Sequence, residues 1–457
     1  MAKGNRQAET LLRAGFAAHQ AGQLDTAEAR YRAALAQNPD LPDALNLLGV
    51  IRRAKGDAAE AVRLQEKALK LAPGAIDTRG NFANALVQDG QYARAAAEVR
   101  TMLAARPAQA DAWATLGRAL KFLGDREGSV AAFDRAIALA AARADYPFER
   151  ALARLMLGDY PAGFADYESR WLQPHLKPHR ATLNAPEWDG ADPRGKVILA
   201  VGEQGFGDSI MFARYLPLLA ARGAQPVLVA QTELEALMAG LAGPVRIHPN
   251  GTALPPIDAY CHLGTLPLRF GATIDTVPGA PYLAADPART ARWRERLGPR
   301  DGRLRVGLVW AGRSSFAEDR NRSPRLGALA PLLAVEGVAF YGLQMGDGRA
   351  DLAGFAAPAG FTDLGAGIGD FADTAAIMAS LDLVISSCTA PAHLAGALGR
   401  PLWVLLSDAA DWRWLRGRAD SPWYPTARLF RQTRLGDWSV LVAEAVAALR
   451  DLAATRG

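Results

Sequence analysis

The sequence predicts a multidomain fold: an all-α solenoid of helical repeats, followed by a pair of Rossmann-like α/β domains. Two observations predict it. Glycines recur every 34 residues in the first third of the chain, at Gly22, Gly56, Gly90, Gly124 and Gly158. From residue 196 onward this period ends, and short apolar runs alternate with amphipathic segments. A fixed period indicates repeated supersecondary units, whereas strand–helix alternation indicates parallel sheets.

The repeats are of the tetratricopeptide type and extend over residues 1–171, because 34 residues make one such helix–turn–helix unit. A small residue stands seven positions before each glycine, at Gly15, Gly49, Ala83, Gly117 and Ala151. Small side chains at these positions let antiparallel helices approach closely. We expect roughly four to five units in one cooperative stack that holds a protein partner.

Composition excludes several classes of protein. The 457 residues carry a formal charge of +5, but arginines are interleaved with acids, so a solvated surface is favoured over nucleic-acid binding. The first residues lack the apolar core of a signal peptide, and no apolar run approaches the length of a membrane span. Cys261 and Cys388 are the only cysteines and suggest no disulfide framework. We expect a cytoplasmic protein with no nucleic-acid partner.

Residues 172–195 form the predicted linker, because four prolines there prevent a continuous helix. The first α/β domain follows over 196–302 and the second over 303–457. The segments SIMFARYLPLLAARG and RLGALAPLLAVEG each predict one amphipathic helix. A last helix, about 437–453, could cross back to close the pair of domains.

The first candidate site is the turn GEQGFGDSIMF, which directly follows a predicted strand and contains Gly202, Gly205 and Gly207. Ligands of open α/β sheets bind at the carboxyl ends of strands, and glycines admit them close to the backbone. The order G-x-x-G-x-G is not the dinucleotide fingerprint, which speaks against an oxidoreductase. Asp208 stands where the next helix begins, and it is either the helix cap or a catalytic base.

The second candidate is the loop after the strand LRVGLVW, which is rich in arginine and includes Arg320 and Arg322. The guanidinium group has a fork of donors that suits phosphate oxygens, so this strand end predicts anion binding. The alternative is a surface network in which Glu318 and Asp319 pair with these arginines.

The third candidate is the turn SSCTA, which joins a strand to a helix and contains Ser387 and Thr389. Hydroxyls and free amides at a helix N-terminus suit a phosphate. His393 lies four residues after Thr389 on the same helical face; it is either a ligand of that anion or a structural histidine.

Two further observations concern aromatics and metals. Trp412 and Trp414 lie in a loop-like stretch, where they could stack a base or sugar or plug a gap between domains. The histidines are scattered, and no D-x-D pair is present for a metal that bridges a diphosphate, so no metal or other cofactor is expected.

Three segments together resemble the heptosyltransferase-like glycosyltransferases, which have the GT-B fold. They are GEQGFGDSIMFARYLP, the DRNRS loop and TAPAHLAGALGRP. In bacterial chains of this architecture, tetratricopeptide repeats precede such a module. The arrangement is also similar to the O-linked N-acetylglucosamine transferases, although their catalytic histidine motif is not evident here.

The resemblance implies roles for individual residues. Asp208 would be the base that activates the acceptor, Arg320 and Arg322 would contact the donor phosphates, and Thr389 with His393 would grip the diphosphate. The chain departs from this family at Cys388, where relatives usually have an aspartate before the threonine.

The sequence thus predicts a metal-independent, inverting glycosyltransferase. It would move a sugar from a nucleotide-diphosphate donor to a protein or glycan acceptor that the solenoid recruits. The alternative is a protein-interaction scaffold whose glycosyltransferase-like half is catalytically inactive, and Cys388 favours it.

Overall fold

A computed structural model describes residues 2–174, 176–180, 182–203, 205–316 and 319–455, without the side chains of residues 2–4 and 320. By internal contacts the chain divides into two compact units, Met1–Leu157 and Gly158–Gly457. The domain boundaries given above stay predictions.

The first unit consists of antiparallel helix pairs, as the repeat pattern predicts. Its helices are α1 Ala2–Gln20, α2 Leu24–Gln37, α3 Pro42–Ala54, α4 Ala58–Leu71, α5 Ile76–Gln88, α6 Tyr92–Ala105, α7 Ala110–Leu123, α8 Arg126–Leu139 and α9 Asp145–Met156.

The periodic glycines close the first helix of each pair. Gly22, Gly56, Gly90 and Gly124 have φ between 74° and 88°, the left-handed region that other residues rarely adopt. The small residues act as predicted: a Cβ atom on Gly117 would lie 2.8 Å from the Phe133 ring, so the paired helices need glycine to come this close.

The second unit is an α/β structure. Its strands are β1 Val197–Val201, β2 Gln225–Val229, β3 Arg246–Ile247, β4 Ala259–His262, β5 Leu304–Val309, β6 Val338–Gly342, β7 Phe361–Asp363, β8 Leu383–Ser387, β9 Leu402–Leu406 and β10 Ala427–Arg431. Its helices are α10 Tyr160–Tyr167, α11 Phe206–Phe212, α12 Tyr215–Ala221, α13 Thr232–Met238, α14 Leu266–Arg269, α15 Pro287–Leu297, α16 Asp319–Arg322, α17 Arg325–Ala328, α18 Ala330–Leu333, α19 Phe371–Met378, α20 Ala390–Ala397 and α21 Ser439–Ala454. A 3₁₀ helix, Glu168–Leu172, follows α10.

The strands form two parallel sheets. The first has the order β3-β2-β1-β4 and the second the order β10-β9-β8-β5-β6-β7. Both orders are those of the Rossmann type, in which the chain starts in the middle and then reverses direction across the sheet. The four central strands of the second sheet, β5, β6, β8 and β9, are buried throughout, as strands covered by helices on both faces must be.

Two helices predicted as continuous are each broken into two. The first is split between α11 and α12, and the second between α17 and α18. Pro217 and Pro331 cause the breaks, because proline lacks an N–H and its ring collides with the carbonyl four residues earlier. Those carbonyls belong to Ala213, which lies at the first break, and to Gly327, which lies near the end of α17.

The linker and the last helix each pack against one of the two sheets. The Trp188 amide donates to the Tyr260 carbonyl at 2.7 Å, so this part of the linker extends the first sheet beside β4. Helix α21 buries Leu441, Val442 and Leu449 in the core of the second sheet, where it contacts α18.

Candidate functional site

In both sheets the strand order reverses beside the first strand. The reversal lies between β1 and β4 in the first sheet, and between β5 and β8 in the second. Ligands of open α/β sheets bind beside the carboxyl ends of the strands at such a point. The turns after β1, β5 and β8 all carry residues that the sequence predicts to be functional.

The glycine-rich turn after β1 brings α11 against α20. The Gly202 amide donates to the Val229 carbonyl at 2.8 Å, and Gly205 is the N-cap residue of α11. A Cβ atom on Gly207 would lie 2.9 Å from Cδ2 of His393. We expected these glycines to admit a ligand; at Gly207 the close neighbour is α20.

Asp208 lies in this contact as the third residue of α11, so the capping alternative fits poorly. Its Oδ1 atom lies 2.5 Å from Nη2 of Arg413, and its side chain is 32% exposed. Arg413 follows β9 and also donates from Nη1 to Asp411 at 2.7 Å. One guanidinium thus holds a carboxylate from the first α/β half and another from the second.

The two carboxylates on Arg413 differ in proton affinity. Burial raises the pKa of Asp208; Arg413 opposes this, and the charges of Asp411 and Glu203 add to the rise. Burial also opposes ionisation of Asp411, yet the charge and backbone N–H of Arg413 hold the pKa of Asp411 below its ordinary value. Pairs of carboxyls whose pKa values diverge in this way divide the roles of stable anion and proton acceptor. Asp208 is the one suited to accept a proton.

The turn after β8 combines a buried hydroxyl with a helix N-terminus. Ser387 is fully buried, and its Oγ atom has no hydrogen-bond partner among the described residues. Thr389 is the N-cap residue of α20, and its hydroxyl donates to the Ser387 carbonyl at 3.3 Å. A buried hydroxyl without a partner requires an explanation, and an anion bound at the start of α20 would supply one.

Cys388 stands in this turn as a protonated thiol. Its Sγ atom accepts a hydrogen bond from Nε1 of Trp414 at 3.0 Å, and burial raises its pKa to about 11. Residue 388 therefore carries no negative charge, whereas the heptosyltransferase-like enzymes that the sequence resembles usually have aspartate at this position. A neutral thiol would not repel a phosphate, but it also cannot accept hydrogen bonds as a carboxylate does.

His393 is buried among aromatic rings. Its Nδ1 atom lies 3.0 Å from the Tyr424 hydroxyl, and its ring stacks on Trp414 with the centroids 5.2 Å apart. Burial lowers its pKa to about 3, and the charge of Arg413 acts in the same direction. The imidazole is thus neutral at pH 7. Its role as a phosphate ligand stays a prediction, and it would have to use a neutral N–H.

We predict that His393 makes the second unit less stable in acid. The unfolded chain binds a proton near the ordinary histidine pKa of 6.5, whereas folded His393 stays neutral down to about pH 3. Below pH 6.5 protons therefore favour the unfolded state, and stability falls as the pH drops through this window. His393→Gln should remove about 1–2 kcal/mol of the loss between pH 7 and 5. Urea titrations followed by tryptophan fluorescence measure this. The exposed His179 offers the control His179→Gln, and equal pH profiles for both variants would contradict the prediction.

Both tryptophans predicted to stack on a base or sugar are covered by protein. Trp412 is 2% and Trp414 0% exposed. Trp412 lies parallel to Phe212 with the ring centroids 6.4 Å apart, and Trp414 stacks on His393. This packing favours the alternative, in which the aromatics plug the gap between the two α/β halves. Stacking on a ligand stays a prediction.

The arginine loop after β5 is partly neutralised by an acid within it. Nε of Arg322 donates to Oδ1 of Asp319 at 3.2 Å, and its guanidinium lies over the Phe316 ring at 4.5 Å. Asp319, which is 4% exposed, also accepts from Ser323 at 2.9 Å. The predicted acid–arginine network is thus present for this pair. The side chain of Arg320, like the whole of Glu318, lies outside the described residues.

The sequence reasoning missed a buried ion pair where the first sheet reverses. Nε and Nη2 of Arg170 each donate to the Glu203 carboxylate at 3.0 Å. Nη2 also donates to Thr265 at 2.9 Å, and Nη1 donates to Glu168 at 2.6 Å. Glu203 follows β1 and Thr265 follows β4, so Arg170 occupies the strand ends where a ligand would be expected. The only sequence signal was an acid two residues after a buried strand.

Two kinds of feature are absent from the described part of the chain. No group of three or more His, Cys, Asp or Glu residues there could hold a metal ion. No helix there is both long and apolar enough to cross a bilayer.

Comparison with known proteins identifies the repeats and the family. Models of the tetratricopeptide repeat match residues 52–118 and 110–143, which indicates a role in protein interaction. Protein FlbA of Caulobacter vibrioides is 30% identical over 515 aligned positions, which cover 96% of this chain and 84% of FlbA. The chain belongs to the FlbA family. Because the alignment covers nearly the whole chain, membership of the FlbA family includes the α/β half as well as the solenoid.

Three of the solved structures similar to this FlbA family member each match little more than a third of it. MamA (residues 41 to the end) of Desulfovibrio magneticus RS-1 is 20% identical over 38% of this chain and 98% of that chain, with a TM-score of 0.33. A tetratricopeptide protein of Thermus thermophilus is 21% identical over 37% of this chain and 92% of that chain, with a TM-score of 0.32. PilF of Pseudomonas aeruginosa is 17% identical over 36% and 76% of the two chains, with a TM-score of 0.32.

Proposed function

We propose that this chain is a metal-independent, inverting glycosyltransferase with a GT-B arrangement of its two α/β halves. It would move a sugar from a nucleotide-diphosphate donor to a protein or glycan acceptor recruited by the solenoid. The observation that carries the proposal is the pair formed by Asp208 and Arg413, 2.5 Å apart. Through it, the turn after β1 and the loop after β9 bring a carboxylate and a guanidinium into one small volume. We assign them the roles of proton acceptor and phosphate-binding cation.

In the proposed transfer, Asp208 accepts the proton, and Arg413 with the start of α20 stabilises the leaving group. The acceptor hydroxyl gives its proton to Asp208 while its oxygen attacks the anomeric carbon of the donor sugar. The bond from that carbon to the phosphate oxygen breaks, and the nucleoside diphosphate leaves with the electron pair. The raised pKa of Asp208 makes it a stronger base, and Arg413 with the start of α20 would stabilise the charge on the leaving group.

Donor binding would also free the base. Without substrate, Arg413 neutralises Asp208 directly. A diphosphate carries more negative charge than a carboxylate and would compete for the same guanidinium. Asp208 would then be released toward the acceptor, which favours an order in which the donor binds first.

The remaining predicted residues fit the donor side of this proposal. Ser387 offers its unpartnered hydroxyl, and Thr389 opens the helix whose first amides would face the donor phosphate. Arg322 keeps a side chain that is 27% exposed and could exchange Asp319 for a phosphate. Arg320, which precedes it by two residues, is proposed in the same role.

The alternative is a protein-interaction scaffold that has lost transfer activity. Three observations favour it: Cys388 is a neutral thiol, His393 is buried and neutral, and both tryptophans are covered. In that case the solenoid would carry the function, and the α/β half would be structural.

Calorimetry with nucleoside diphosphates separates the two functions. We expect one of UDP, GDP, ADP and CDP to bind the full chain, and Arg322→Gln to weaken that binding by about tenfold, as loss of a charged hydrogen bond does. Arg292, exposed on α15, provides the control Arg292→Gln, which should bind like the unmodified chain. A folded chain that binds none of the four would support the scaffold.

A further inference from the structure

Two arginines of the solenoid share one layer of helices. The first helices of successive repeats contact each other, α3 with α5 and α5 with α7. Hydrogen bonds between side chains join this layer: Asn81 donates to Asn46 at 3.1 Å, and Thr115 donates to Asn84 at 2.9 Å. Arg53 lies near the end of α3, and the other arginine lies on α7, one turn beyond Thr115.

That second arginine is Arg118, and neither guanidinium lies within ion-pair distance of an acid among the described residues. Both side chains are partly buried, and the Nε atom of each is buried without a hydrogen-bond partner. No ion pair of Arg53 or Arg118 is present among the described residues.

Six other arginines of the first unit each form an ion pair with an acid. Their partners are as follows: Arg32 with Glu28, Arg52 with Asp57, Arg79 with Glu98, Arg94 with Glu66, Arg106 with Asp77 and Arg143 with Asp145. Each of these six arginines has an acid within ion-pair distance, whereas Arg53 and Arg118, although partly buried, have none among the described residues.

The two arginines also act on each other. Burial lowers the pKa of Arg53, and the charge of Arg118 lowers it further. A partly desolvated cation beside a like charge is unfavourable unless an anion binds it. Lys121, one turn after Arg118 on α7, does have an acid, because its Nζ atom lies 3.7 Å from Glu149.

We infer that Arg53 and Arg118 form a carboxylate-binding site for an acidic segment of a protein partner. Arginine forks bind carboxylates in a bidentate manner, and stacked repeats present an extended surface to a peptide. A carboxylate fits better than a phosphate dianion, because Glu149 and Asp145 lie on the neighbouring α9 and would repel the larger charge. This inference concerns the solenoid and does not rest on transfer activity.

Fluorescence anisotropy with the full chain tests the inference. The probe is a fluorescein-labelled dodecapeptide of alternating glutamate and alanine, and its partner probe has glutamine in place of glutamate. We expect the glutamate probe to bind, and the glutamine probe to bind at least about tenfold more weakly, as loss of charged hydrogen bonds implies. The double variant Arg53→Gln/Arg118→Gln should lose the same factor.

The control is Arg30→Gln/Arg100→Gln, which removes two exposed arginines from the second helices α2 and α6. It should bind the glutamate probe within about twofold of the unmodified chain, since exposed charges contribute little. Arg53→Lys/Arg118→Lys keeps both charges and should retain part of the binding even if the glutamine variant is unstable. Equal affinity of the two double glutamine variants, or displacement of the probe by a single-stranded oligonucleotide but not by a polyglutamate peptide, would overturn the inference.

Discussion

Asp208→Asn is expected to lower the rate of sugar transfer by about 10²–10⁴-fold, the usual contribution of a general base. Asparagine keeps the size of the side chain and can still accept a hydrogen bond from Arg413. It cannot take the acceptor proton, so the chemical step loses its base while the donor site stays intact. The measurement is the initial rate of transfer from the nucleotide sugar whose diphosphate binds, together with the affinity for that diphosphate.

The pH dependence of the rate provides a second readout. Because burial raises the pKa of Asp208, the rate should fall as the pH drops through that raised value, and the asparagine variant should lack this limb. Asp275, exposed in the same unit, gives the matched control Asp275→Asn, whose rate should not change. If Asp208→Asn transfers sugar as fast as this control, Asp208 is not the base, even where nucleotide binding is intact.

Arg170→Met is expected to destabilise the second unit by about 3–5 kcal/mol, the cost of breaking a buried ion pair by removing one partner. The Arg170 side chain is 1% exposed and that of Glu203 only 14%. Methionine fills much of the volume but leaves the Glu203 carboxylate without its cation. Urea unfolding followed by tryptophan fluorescence reports mainly on this unit, because nine of the ten tryptophans lie after residue 157.

A comparison with an exposed pair isolates the effect of burial. Arg180 is 47% exposed and bonds Glu187 at 2.7 Å, so Arg180→Met should cost less than about 1 kcal/mol. Arg170→Met combined with Glu203→Met removes both charges and should recover part of the loss. Equal unfolding midpoints for Arg170→Met and Arg180→Met would show that the buried network contributes no more than a surface pair.

The solenoid was predictable because its signals are local. A glycine that must adopt positive φ at Gly22 or Gly56, and a small residue where Gly117 meets Phe133, are required by contacts within one repeat. Such requirements recur with the repeat itself, so the sequence displays them as a period. The proximity of Arg53 to Arg118 has no such signal, because the two arginines lie on helices that are two repeats apart.

In the α/β half, the positions of candidate residues were predictable but their partners were not. Ser387 ends a strand, Thr389 caps a helix and Asp208 lies in the first turn of one, and a strand–helix pattern reveals such positions. That Asp208 pairs with Arg413 and that Arg170 pairs with Glu203 depends on contacts between residues distant in sequence. Continuous helices were predicted across Pro217 and Pro331 because the helical spacing of apolar residues continues past both prolines. Each helix is nevertheless interrupted, because proline lacks the N–H that a continuous helix needs.

The sequence by itself determined the repeat architecture, the alternation of strands and helices, and the turns that connect them, since each depends on spacing along the chain. Only the tertiary structure decided the strand orders, the burial of His393 and both tryptophans, and the sharing of Arg413 by two carboxylates. The physical reason is that burial and charge pairing depend on neighbours in space. A residue's protonation and accessibility follow from those neighbours, and no local pattern specifies them.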